Sequence, residues 1–166
     1  MNIFVLDTDP VTCAQYHCDK HVIKMILESV QMLSTTCSIL GAEVPYKPTH
    51  ANHPCTKWVR ESHENFIWLH DLAYALEDEW RFRYNHPHDK RHASMVLLEE
   101  YNLLSVGTTE LPFGERTSFA QAMPEQYKSC NPVQAYRAYY AKEKTNLLTF
   151  TKRGEPEWLK EYIMRK

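Results

Sequence analysis

Between Pro10 and Leu40 the apolar residues return every three or four positions, the spacing of one buried helical face. Pro10 suits a first helical turn with Asp9 or Thr8 as its cap, and Gly41 ends the run where a left-handed residue is favoured. A break is expected near Tyr16–Asp19. Ahead of this run, "MNIFVL" reads as a short β-like or extended segment, and Asp7–Pro10 as the turn into the helix. "AEVPYKPTHANHP" carries three prolines and no periodicity, which predicts a loop. A second long helix is expected from about Pro54–Thr56 to Tyr84, with Val59, Ser62, Phe66, Leu69, Ala73, Leu76 and Trp80 as its buried stripe. Beyond the turn "NHPHDKRH" the pattern predicts a helix over about Arg91–Leu104 and an irregular segment over Ser105–Ser129. A helix from Asn131-Pro132 to about Leu148 and a last short one opened by Pro156 follow. The expected fold is mostly α: a compact single helical domain over residues 1–166, with a short extended N-terminal segment.

The first long run, "CDKHVIKMILESVQML", has an unusually polar second side. On a wheel with Val22 at zero, Ile26, Val30 and Leu33 fall within about 80°, with Ile23 just beyond. His17, Lys20, His21, Lys24, Glu28 and Gln31 share a sector roughly 100° wide on the other side. A solvated face explains such a sector, and Lys24–Glu28 is an ordinary i,i+4 pair. A carboxylate flanked by Lys and Gln, with two histidines on the same side, is equally the wall of an acid–base site.

Composition narrows the choice of chemistry. A 43% apolar content supports a packed interior, and 4 glycines against 9 prolines argue against a Gly-rich barrel. Five irregularly spaced cysteines make a poor disulfide framework. "MNIFVLD" lacks the features of a signal peptide, and no apolar run reaches the ~20 residues of a membrane span. A cytoplasmic protein without membrane contact is therefore expected. A net charge of -2 gives no global attraction to nucleic acid, so DNA binding requires local basic patches.

"CDKHVIKMILESVQML", "NHPCTKW" and "DEWRFRY", in that order and spacing, resemble the pyrimidine-dimer DNA glycosylase family, of the phage endonuclease V type. The likeness lies chiefly in residues 15–84, with a fainter echo around "AQAMPEQY". The chain also looks like small proteins of tailed phages. The resemblance implies an all-helical enzyme that holds duplex DNA, kinks it and excises a damaged or modified pyrimidine base. It implies Glu28 as the catalytic carboxylate, His21 as an active-site histidine and Asp19 as an aligned residue. The chain-start α-amine, here that of Met1, is the implied nucleophile, attacking the sugar to form a Schiff base that permits later strand nicking. Lys20, Lys24, Gln31, His53, Trp58, Arg81, Arg83, Lys90 and Arg91 are the residues expected to meet substrate and DNA. No cofactor or metal is expected. The sequence departs from the family in two places. Asn2 is large for removal of the initiator methionine, so Met1 is expected to stay, with its bulk disfavouring the Schiff-base and strand-nicking step. Water guided by Glu28, or Lys20 or Lys24, would then replace the amine. Leu27 and Gln31 stand where the family carries arginines.

Other patterns keep alternatives open. The basic turn "RFRYNHPHDKRH" suits phosphate contact or a solvated helix end. Tyr136, Tyr139 and Tyr140, with Arg137 and Lys142, suit base stacking or a core stripe. His17 and His21 with Cys13 or Cys18, and His50 and His53 with Cys55, would serve a metal-dependent hydrolase or nuclease. Modification of a base substituent on the same fold and a non-enzymatic partner role are further readings. No Gly-rich phosphate loop is present, which argues against ATP or dinucleotide use.

Overall fold

The computed structural model describes residues 1–164. Among them are eight α-helices and two single 3-10 turns, and no strand. The helices are α1 (Pro10–Tyr16), α2 (Asp19–Ile39), α3 (Pro54–Val59), α4 (His63–Arg83), α5 (Ala93–Glu100), α6 (Leu103–Glu110), α7 (Pro132–Glu143) and α8 (Glu157–Met164). None is long and apolar enough to cross a membrane.

Caps in the sequence set most of the boundaries. Asp9 accepts the Thr12 N–H at 2.8 Å and opens α1, and Asn131 accepts the Gln134 N–H at 3.2 Å and opens α7. Gly41, at φ 88°, follows the end of α2. The first run breaks at His17–Cys18, where the expected break fell. The helix expected over 54–84 is also broken, because Ser62 is a cap and no part of a stripe. Its hydroxyl accepts the Asn65 N–H at 3.2 Å. Asn65 then donates to the Trp58 carbonyl at the end of α3 (2.7 Å), so both new helix ends are satisfied. The expected helix over 91–104 is two: His92 caps α5 through Nδ1, and Asn102, at φ 49°, turns the chain into α6. Residues 105–110, expected to be irregular, are therefore helical. The helix expected to reach Leu148 ends at Glu143, and a 3-10 turn over Thr145–Leu147 follows.

The 21-residue helices α2 and α4 form the central pair, with α1 and α6 packed on α4, and α3, α5 and α6 on α2. Gly107 makes the α6–α4 approach possible, since a Cβ there would lie 2.4 Å from the Phe66 ring. The non-helical segment 2–6 is buried, and Phe4 at its centre is left-handed, at φ 55°. Arg137 of α7 donates to the Leu6 carbonyl (2.8 Å), and Trp68 of α4 donates to Thr8 (2.7 Å), so the chain start is laced into the core.

Candidate active site

The wheel sector on α2 divides in two. Lys20 and Lys24 are exposed and Gln31 is half-buried, whereas His21 and Glu28 are buried. His21 and Glu28 lie at the edge of the sector, and the N-terminal segment and α7 close over that edge. Ile23 and Leu27 are exposed instead, on the side of the lysines away from Glu28. His17 leaves the sector altogether, because α1 ends at Tyr16. Its ring is fully buried and its Nδ1 lies 2.7 Å from the Cys13 carbonyl.

Glu28 meets the chain start. Its Oε2 accepts the Asn2 backbone N–H at 3.0 Å and lies 4.0 Å from the Met1 α-amine. Its Oε1 lies 3.4 Å from Lys24 Nζ, whose side chain is 63% exposed, so the carboxylate opens to solvent on that side. The Met1 side chain is only 4% exposed, while the residue as a whole is half-buried, so its accessible surface belongs to the main chain. Inside, Met1 Sδ takes a long contact from the Thr56 hydroxyl (3.8 Å). Asn2 holds this arrangement. Its amide donates to the Ala122 carbonyl at 2.8 Å, and its Oδ1 accepts the Ile3 N–H at 2.8 Å.

Two histidines border the pair. His53, the cap of α3, accepts the Cys55 N–H on Nδ1 at 3.1 Å, which assigns its proton to Nε2. Burial, then the positive Met1 amine and His50, hold His53 below its usual range, against the opposing pull of Glu28. His21 stacks on Phe4 (4.6 Å between centroids, 14° between planes), and its Nδ1 lies 2.8 Å from the Tyr140 hydroxyl. That hydroxyl accepts the Cys18 N–H at 2.9 Å, leaving its own proton to donate to a neutral His21. Burial, with help from nearby cations, pushes His21 down to about 3. His21 is therefore a neutral, oriented ring at neutral pH.

The remaining residues expected at the site are elsewhere. Trp58 is in the core against Trp68 and Phe119, with its indole N–H directed to the Thr117 carbonyl (3.4 Å), so the structure does not present it to DNA. Arg83 is fully buried and holds Glu79 (2.6 Å) and Asp19 (3.0 Å), while also donating to the His17 and Gln15 carbonyls. It joins the end of α4 to the start of α2. Asp19 is buried, which raises its pKa, but donors from Thr151 and Arg83 outweigh this and hold it below the ordinary carboxylate range. Arg81 pairs with Glu77 and Asp78, and Arg91 with Glu77 and Glu99. Lys90 is exposed in the same turn, its carbonyl held by Arg81 at 3.0 Å. The basic turn is thus largely neutralised by carboxylates of its own neighbourhood, an outcome its composition concealed. Tyr136 and Tyr140 are core residues, and Tyr139 is half-buried. Among the described residues no three His, Cys, Asp or Glu side chains are grouped to hold a metal ion.

The tethering role of Asn2 and the part of Phe4 are what sequence reasoning missed at this site, and Tyr140, read as a stacking or core residue, is a core residue that also orients His21. One signal pointed to Asn2: a lone polar residue directly before the buried run "IFVL".

Comparison with known proteins adds to this geometry. No curated protein and no solved structure gave a match. A family model described as pyrimidine dimer DNA glycosylase matches residues 1–92, more than half of the 166-residue chain and the part that carries Met1, His21, Glu28 and His53. With its α-amine beside a helix carboxylate at the start of an all-helical fold, the chain belongs to the pyrimidine dimer DNA glycosylase family.

Proposed function

We propose that the protein excises a damaged or modified pyrimidine from double-stranded DNA, with the Met1 α-amine as nucleophile and Glu28 as the catalytic carboxylate. The observation that carries the reading is the 4.0 Å approach of the amine to Glu28, with the Met1 side chain turned inward. A retained methionine then adds no bulk in front of its own nitrogen, which removes the obstacle raised by Asn2.

In this mechanism the Met1 ammonium first gives up a proton to water, and the freed lone pair forms a bond to C1′ of the target nucleotide. The C1′–N bond to the base breaks, and its electron pair leaves with the base, which takes up a proton. The new C1′ ammonium loses a proton as the C1′–O4′ bond opens, giving an iminium and a 4′-hydroxyl. Glu28 is suited to stabilise the positive charge that develops on the sugar and to relay the proton to O4′. Loss of a C2′ proton from the iminium then expels the 3′ phosphate and nicks the strand. His53, neutral and carrying its proton on Nε2, is the group suited to hydrogen-bond the sugar or base.

The test is a duplex with one pyrimidine dimer, incubated with protein and borohydride; the dimer is then split by photoreversal, and the base freed by glycosidic cleavage is read by mass spectrometry. A covalent adduct mapped to the N-terminal peptide is expected. An adduct on Asn2 would show that Met1 is removed and would shift the nucleophile to a nitrogen already 3.0 Å from Glu28. Base release with an intact strand and no adduct would replace the amine by water. Absence of glycosidic cleavage in dimer-containing, phage and plain DNA alike would overturn the reaction.

A further inference from the structure

Lys144 follows α7 and lies outside the residues matched to the family. Its ammonium is 5.2 Å from the Tyr139 ring centroid and 5.7 Å from that of Phe4. Phe4 is the middle of a column, stacked on His21 at 4.6 Å and near-parallel to Tyr139 at 6.3 Å. It adopts φ 55°, left-handed backbone that is strained for a non-glycine residue and persists only where the surroundings impose it. Arg83, Arg91, Arg137 and Arg153 each meet a carboxylate. Lys144 is half-buried and, among the described residues, has no ion pair; the neighbouring Glu143 carboxylate is engaged by the Tyr127 hydroxyl. Ring faces orient and attract a cation without neutralising it. The positive charge of Lys144 also reaches His21, as does that of Lys24.

We propose that Lys144 is a DNA-phosphate contact which, with Lys24, lays the strand across Glu28, and that the His21–Phe4–Tyr139 column is its mount. This rests on the DNA substrate proposed above. From His21 to Glu28 is seven residues of helix, about 10 Å, or about three nucleotide steps of rise. A phosphate held at Lys144 would therefore lie within a few nucleotide steps of the sugar at Glu28. An exposed lysine bound only by its hydration would lose conformational freedom on contact, whereas this one is already oriented.

The test compares wild type, Lys144→Gln and Lys144→Arg for binding of a labelled duplex across salt concentrations. Lys144→Gln is expected to weaken binding at low salt and to lower the slope of log affinity against log salt by about 0.9, the value of one phosphate contact. Lys144→Arg should restore the slope, and thermal unfolding of both variants should match wild type. An unchanged slope, with or without lost stability, would assign Lys144 to packing on Phe4 alone and overturn the proposal. A changed slope in a protein that releases no base would uphold the contact and overturn the reaction, so the two failures are distinct.

Discussion

Glu28→Gln tests the site most directly. The substitution keeps the side-chain shape and an oxygen to accept the Asn2 N–H at 3.0 Å, and removes only the charge. The charge that develops on the sugar arises next to the attacking amine, which is 4.0 Å from Glu28 Oε2. Two unit charges about 4 Å apart, at an effective dielectric of about 20, attract by about 4 kcal/mol. At about 1.36 kcal/mol per decade, turnover should fall about a thousandfold. Stability should fall modestly: the Lys24 end of its pair lies in water, but Glu28 is buried and the Met1 amine loses its carboxylate, while the retained Asn2 N–H contact keeps the chain start in place. Affinity for DNA should hold or rise slightly, as a negative charge leaves the binding surface. The assay is single-turnover base release at saturating protein, with urea unfolding and duplex binding measured on the same preparations. Retention of more than about a tenth of wild-type turnover by a folded, DNA-binding variant would refute a central role for this carboxylate.

Acid should destabilise the protein well before its carboxylates titrate. Burial pushes His17 down to about 4 and His21 to about 3, from an ordinary 6.5. Below pH 6.5 the unfolded chain takes up protons that the folded chain refuses, so this stability is complete above that pH and declines as pH falls toward 4. The two histidines together give a slope of about 2.7 kcal/mol per pH unit, and urea midpoints equal at pH 7 and 5 would refute their buried, neutral state. Gly107→Ala should lower the thermal midpoint, although the same change on an open helix face stabilises by about 1 kcal/mol. The added methyl would meet the buried Phe66 ring at 2.4 Å, and overpacking of this kind costs about 1–3 kcal/mol; a raised midpoint would show that α6 and α4 move apart freely.

Local chemistry was legible wherever it is self-contained. Asp9, Gly41 and Asn131 fix helix ends within a few residues of themselves, and apolar spacing alone identified α2 and most of α4. Ser62 was misread because a serine caps a helix or lies within one according to whether partners exist for the freed groups. That depended on Asn65 reaching the Trp58 carbonyl. The functional reading came from the order of short motifs in residues 15–84, and the family match to residues 1–92 agrees with it.

The sequence by itself determined the helical periodicity, the caps and a polar sector on α2 that held both a solvated face and a reactive one. Tertiary structure decided where the boundary between them runs. Asn2 and Phe4 from the chain start and Tyr140 from α7 cover His21 and Glu28, leaving Lys20 and Lys24 in water. It also decided that Arg81, Arg83 and Arg91 face carboxylates, while Lys144, just past the end of α7, faces aromatic rings. The physical reason is that a helix wheel fixes only the angle of a side chain about its own axis. Whether that angle faces water, a charge or another ring depends on segments more than 100 residues away, and local spacing carries no record of them.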